Sequence, residues 1–146
     1  MEKYITPEMK RFNYLSNEID AAYHEAALKL GLSDSVMLIL YAICNNGDKC
    51  LLSDIIRLSG VSKQTVNSSL RKLENEGIIY LENFKGRKKS VCLSEKGKTL
   101  VKNTVFRVIE IENEIFGSWS EEELRLYIEL TEKYLHSFKE KIEELS

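Results

Sequence analysis

Apolar residues change their spacing several times along this chain, and each change marks an element. Met9, Phe12, Leu15, Ile19, Tyr23, Ala26 and Leu30 recur at steps of three and four, which predicts one amphipathic helix with a single apolar stripe. Thr6 supplies its cap and Pro7 its first helical residue, giving a helix of about 35 Å at 1.5 Å per residue. Gly31 breaks the pattern, and Leu32-Ser33-Asp34 opens a second helix that runs to about Cys44. That helix is apolar on several sides (Val36, Leu38, Ile39, Leu40, Ala42, Ile43), as a helix buried between others must be. Asn45-Asn46-Gly47-Asp48 reads as a turn, Leu51-Leu52 as a short strand, and Ser53 as the cap of a helix from Asp54 to Leu58 that stops at Ser59-Gly60.

Ser62 stands where the next cap belongs, and no Gly or Pro follows until Gly77, so a helix runs from there to about Glu76 with Val66, Leu70 and Leu73 on its inner face. Ile78-Ile79-Tyr80-Leu81 and Ser90-Val91-Cys92-Leu93 are β-branched and apolar enough to pair as strands around the loop from Glu82 to Lys89. After Ser94, the residues Leu100, Val101, Val105, Val108, Ile111 and Ile115 predict one helix to about Phe116, ended by Gly117. Ser120-Glu121-Glu122-Glu123 is a capping box, and Leu124, Ile128, Thr131, Leu135, Phe138, Ile142 and Leu145 then alternate steps of four and three, the pattern of a helix-packing seam. The expected fold is mainly α (α+β), with six helices and a small β-wing. Residues 32–97 would form a winged helix-turn-helix, and 1–31 and 98–146 would complete the same single domain, 1–146, as helical dimerisation segments.

Charge changes the picture. The net charge of −2 hides a strong asymmetry: residues 53–98 hold ten Lys and Arg against five Asp and Glu, whereas residues 99–146 hold six against eleven. The cations gather where a nucleic-acid surface would lie. On the outer face of the fourth helix, Ser62, Lys63, Gln64, Thr65, Asn67, Ser68 and Arg71 can all hydrogen-bond to base edges or phosphates, and no carboxylate interrupts them before Glu74. An ordinary solvated face mixes both signs. In the loop between the strands, Asn83 and Gly86 give turn chemistry, while Lys85, Arg87, Lys88 and Lys89 crowd the tip; an arginine there can enter a minor groove while lysines meet phosphates. The competing readings are a merely solvated helix face, a solubilising hairpin tip, and a winged helix used as a protein-interaction module without specific DNA binding.

The segment Ser62-Lys63-Gln64-Thr65-Val66-Asn67-Ser68, then Leu70-Arg71-Lys72-Leu73-Glu74 with Gly77-Ile78-Ile79, then Arg87, Val91 and Leu93-Ser94-Glu95-Lys96-Gly97, resembles the multiple-antibiotic-resistance regulator (MarR) family of bacterial transcription factors. That family usually carries Asp-x-Arg in its wing; Arg87 matches the arginine, but Lys85 stands where the aspartate would be, which leaves the wing more basic. The resemblance implies a regulator of transcription, expected to be a repressor, released from DNA by a small aromatic or anionic ligand or by an oxidant. The ligand would sit between the dimerisation helices and the winged part, where Tyr14, Tyr23, Tyr41, Phe106, Tyr127 and Tyr134 could line a cavity or else simply fill the core.

A last helix of about 26 residues spans roughly 39 Å, more than so small a core can cover. A second copy of the chain is therefore expected to cover Met9 and Phe12 at one end and Leu124, Ile128, Leu135, Phe138 and Ile142 at the other, and the resulting two-fold dimer would read a pseudo-palindromic stretch of double-stranded DNA. Composition limits the alternatives: 43% hydrophobic and 30% charged residues describe a folded globular chain. No apolar run matches a bilayer and no signal-peptide core is visible, so a cytoplasmic protein with no membrane role is expected. Glycine-rich phosphate loops, nucleophile elbows and H-E-x-x-H are missing, so no enzyme, catalytic residue or cofactor is expected. Cys44, Cys50 and Cys92 form no C-x-x-C pair and read as small hydrophobes; Cys50, beside Lys49, is the best of three weak candidates for a redox-sensing thiol. His24, next to the first stripe, reads as a packing residue rather than a metal ligand, and no metal is expected.

Overall fold

A computed structural model describes residues 4–45 and 47–145. It holds seven helices and three strands among them: α1 (Pro7–Lys29), α2 (Asp34–Cys44), β1 (Lys49–Leu51), α3 (Leu52–Ser59), α4 (Lys63–Asn75), β2 (Ile79–Asn83), β3 (Lys89–Leu93), α5 (Glu95–Asn103), α6 (Val105–Gly117) and α7 (Glu121–Ile142). The chain divides into two compact units between Arg107 and Val108.

In the first unit three helices start at side-chain caps. Thr6, Ser33 and Ser62 each accept a backbone N–H through the side-chain oxygen, at the N-termini of α1, α2 and α4. The centre is α2, whose Val36, Met37, Ile39, Leu40, Ala42 and Ile43 are buried and which packs against α1, α3, α4 and β1. Around it, Ile55 of α3, Val66, Leu70 and Leu73 of α4, Val91 and Leu93 of β3 and Val101 of α5 complete the core. The three strands form an antiparallel sheet in the order β1-β3-β2, with Cys50 opposite Val91 and Leu81 opposite Val91 from the other side.

Three expectations need correction. Ser53 does not cap α3: the helix starts at Leu52, directly after β1, with Leu51 as a cap that contributes no side-chain bond. The strand thus hands straight over to the helix and leaves no position for a capping serine. The helix expected from Ser94 to Phe116 is broken into α5 and α6, which makes seven helices instead of six. At the break Thr104 has φ −128° and ψ −86°, and its hydroxyl donates to the Leu100 carbonyl at 2.7 Å. A buried threonine that bonds back one turn competes with the helical ladder at that point. Finally, α7 has 22 residues, about 33 Å in length.

Close packing of α5 on the end of α4 depends on a glycine. A Cβ on Gly97 would collide with the Ile78 carbonyl and stand 3.3 Å from Leu93 Cδ2. The second unit consists of the rest of α6 and α7. Phe116, Trp119 and Tyr127 close the corner between them with ring centroids 5.1–6.1 Å apart. The capping box is present: Ser120 N–H donates to Glu123 Oε1 at 2.9 Å, the Glu123 N–H donates to Ser120 Oγ at 3.1 Å, and the Ser120 backbone bond holds the Glu123 carboxyl below its ordinary range.

Gly97→Ala is expected to destabilise the protein by about 1–3 kcal/mol, as overpacking does. An open helical glycine would instead gain up to about 1 kcal/mol from the same change. Urea unfolding distinguishes the two signs.

Candidate nucleic-acid interface

The helix-turn-helix is set by two local devices. Gly60, at φ +68°, ends α3 in a left-handed turn, and Ser59 Oγ accepts the Val61 N–H at 3.2 Å inside it. Ser62 then starts α4, accepting the Thr65 N–H at 3.2 Å while donating its own hydroxyl to Thr65 Oγ1 at 2.9 Å. Burial of Val66, Leu70 and Leu73 turns the opposite side of α4 outward. Ser62, Lys63, Gln64, Thr65, Ser68 and Arg71 are exposed and Asn67 is half-buried, all within the first nine helical residues and their cap. Ser69, on the flank toward α2, shares a 3.5 Å hydroxyl contact with Ser35.

Strands β2 and β3 pair from Ile79 with Leu93 out to Asn83 with Lys89, which carries the wing tip clear of the sheet. The tip is a tight turn: Phe84 N–H donates to the Lys88 carbonyl at 2.9 Å, Lys88 N–H to the Lys85 carbonyl at 3.1 Å, and Gly86 takes φ +59°. Lys85, Arg87, Lys88 and Lys89 are all exposed, and the Lys89 ammonium is held by Asn83 Oδ1 at 2.8 Å. Phe84 stands among these cations with 54% of its surface exposed, an aromatic contact the charge pattern did not single out. The exit of α4 is also tied down from a distance. Lys96 Nζ donates to the Glu76 carbonyl at 2.7 Å, and Ser94 Oγ lies 2.6 Å from the Gly77 carbonyl and 3.0 Å from that of Ile78.

The residues expected to meet another copy divide by element. In α1, Phe12 is exposed and Met9 half-buried, and Ala27 is the helix's one buried residue. In α7 none is buried: Leu124 is half-buried, and Ile128, Leu135, Phe138 and Ile142 are exposed. Thr131 donates its hydroxyl to the Tyr127 carbonyl one turn back at 2.7 Å.

Burial decides the cysteine chemistry. Cys50, the best of the three weak redox candidates, is 3% exposed in β1, as the small-hydrophobe reading expects, and has no access to oxidant. Burial pushes the Cys44 thiol up to about 11. Cys92 is also raised, by burial and by donating its Sγ–H to Glu82 Oε2 at 3.1 Å. His24 pairs with Asp34 across the α1–α2 corner at 2.7 Å, and among the described residues no group of three metal-ligating side chains comes together. A cleft of about 390 Å³ lies between the α1–α2 turn, the end of α4 and α5, lined by Leu32, Ser33, Lys72, Glu76, Lys96 and Leu100 among others. The six aromatic residues considered as cavity-lining are not among its walls. Among the described residues no single helix is long and apolar enough to cross a membrane.

A sequence model of the MarR family matches residues 30–89, the stretch that holds α2, the helix-turn-helix and the wing. The winged helix-turn-helix is similar to that of the MarR family. No curated protein sequence matches the chain. Solved structures share the fold across nearly its whole length. A MarR family regulator from Neisseria meningitidis aligns with a TM-score of 0.81 at 19% identity, covering 97% of this chain and 100% of that one. The DNA complex of MepR from S. aureus aligns at 0.63 and 24% identity, covering 92% and 99%. NadR in complex with 4-hydroxyphenylacetate aligns at 0.70 and 14% identity, covering 92% and 96%.

In the folded protein at pH 8, a thiol of pKa 11 is ionised to roughly 0.1%. An aromatic disulfide reagent should therefore find no fast-reacting cysteine in the native state and all three after unfolding. Rapid labelling of Cys50 in the native protein would contradict the burial argument.

Proposed function

We propose that this chain is a sequence-specific DNA-binding regulator of transcription, acting as a repressor. It binds a pseudo-palindromic operator as a homodimer and is released by a small ligand. The observation that carries the reading is the exposed face of α4 from Lys63 to Arg71. It is rich in cations and amides, free of carboxylates, and carried on the same unit as a wing with four basic residues at or beside its tip. In this reading Gln64, Asn67 and Arg71 read base edges in the major groove, Ser62, Lys63, Thr65 and Ser68 meet phosphates or bases, and Arg87 enters the minor groove while Lys85, Lys88 and Lys89 neutralise phosphates.

The homodimer is supported by the apolar residues that α1 and α7 leave uncovered within one chain, Phe12, Leu15 and Ile19 on the one and Ile128, Leu135, Phe138 and Ile142 on the other. These helices serve as the dimerisation elements of a single MarR-like chain, 1–146. Two reading heads related by a two-fold axis match half-sites about 10 base pairs apart. Release by a small anionic or aromatic molecule is in keeping with the ligand held by NadR. The cleft lined by Lys72, Glu76, Lys96, Leu32 and Leu100 offers charged and apolar walls to such a molecule.

Arg71→Ala and Gln64→Ala should each weaken binding to a selected operator by about 1–3 kcal/mol, with little effect on random duplex. Lys88→Ala should weaken both alike and reduce the salt dependence by about one phosphate contact. Fluorescence anisotropy against salt measures all three; equal affinity of the wild type for operator and random DNA defeats the reading. Sedimentation at micromolar concentration should give two chains per particle, and a clean monomer removes the dimer.

A further inference from the structure

We propose that Lys96, on the first turn of α5, is a positioning residue that sets the angle at which α4 presents its reading face; this rests on the DNA-binding reading above. Three successive carbonyls follow the last turn of α4, those of Glu76, Gly77 and Ile78, and none continues a helix. Each is satisfied by residues 94–96. Lys96 Nζ donates to Glu76 O at 2.7 Å, Ser94 Oγ shares its one proton between Gly77 O at 2.6 Å and Ile78 O at 3.0 Å, and Ser94 N–H donates to Ile78 O at 3.0 Å. Gly97 admits this approach because it has no Cβ to strike Ile78. The bonded residues lie 16–20 positions apart, so this clamp joins the start of α5 to the exit of α4.

The members of the clamp differ in kind. Ser94 also caps α5, accepting the Gly97 N–H at 3.0 Å, so its loss would disturb the fold itself. Lys96 is exposed, and its ammonium makes a charge-assisted bond at the negative end of the α4 dipole. Its removal releases the Glu76 carbonyl and loosens the helix exit, while leaving the Ser94 bonds and the buried face of Val66, Leu70 and Leu73 in place. The exit is also capped locally, by Gly77 at φ +74° with Gly77 N–H donating to Glu74 O at 3.0 Å and Ile78 N–H to Leu73 O at 2.9 Å, and Lys96 ties that cap to α5. A helix free to tilt still carries its cations to phosphates but loses the register that base contacts need.

Lys96→Met and Lys96→Arg test this, with Lys98→Met as control because the Lys98 ammonium bridges Asp48 and Glu95 at 3.3 Å instead. The readouts are amide hydrogen exchange at Gly77 and Ile78, affinity for a duplex selected from random sequence, affinity for unselected duplex, and the salt dependence of each. Lys96→Met should speed exchange at those two amides and weaken selected-duplex binding by about tenfold. Unselected binding and the salt slope should stay unchanged. Lys96→Arg should restore both properties, and Lys98→Met should alter neither. Unchanged exchange, or faster exchange with unchanged affinity for the selected duplex, overturns the proposal. So does equal weakening on all DNA with the slope reduced by about one, which would make Lys96 a phosphate contact. If the wild type selects no sequence, the DNA-binding reading fails, and the positioning role fails with it; the exchange measurement then still shows whether Lys96 holds the helix exit.

Discussion

Burial of three side chains on one side of a helix dictates what its other side can offer. Val66, Leu70 and Leu73 fall at steps of four and three and are each no more than 7% exposed. Rotating α4 by even one residue would withdraw one of them from the core, at about 1.5–3 kcal/mol for a fully buried aliphatic chain. Lys63, Gln64, Asn67 and Arg71 are therefore directed outward by the packing of their neighbours rather than by any contact of their own. The rigidity of that outward face is borrowed from α2, the helix buried among the others, against which α4 rests. Ser62 at the entry and residues 94–97 at the exit add the remaining fixed points.

The same bookkeeping of apolar surface, applied to α1 and α7, gives the opposite result. Here the helical stripes are regular, yet α7 has no buried residue and α1 has one. Isolated exposed leucines are unremarkable on a protein surface, but two long helices with continuous uncovered stripes are not. A second copy of the chain is the occupant that geometry and symmetry favour, and such pairing would give a reading head of modest size the two-site grip that operator recognition needs.

Local chemistry was legible in the chain. The caps at Thr6, Ser33, Ser62 and Ser120, the stripe of α4 and the wing strands follow from residue types and spacings, because each depends on neighbours within a turn or a hairpin. What escaped depends on contacts between distant residues. The capping role given to Ser53 failed because β1 runs directly into α3, a junction set by pairing with β3. The break at Thr104 was hidden by an unbroken apolar pattern, since Val101 and Val105 are both buried on either side of it. Cys50 drew attention through Lys49 in sequence, but alternation along the strand puts the lysine outside and the thiol inside. The grip of Lys96 on Glu76, 20 residues away, and the pairing of His24 with Asp34 across a corner leave no trace in local pattern at all.

Hydroxyl-radical footprinting on a selected duplex tests the central claim most directly, because it reads the number and spacing of the reading heads at once. Two protected patches related by a dyad and centred about 10 base pairs apart are the predicted result. A single patch, or protection spread evenly along the duplex, would contradict it.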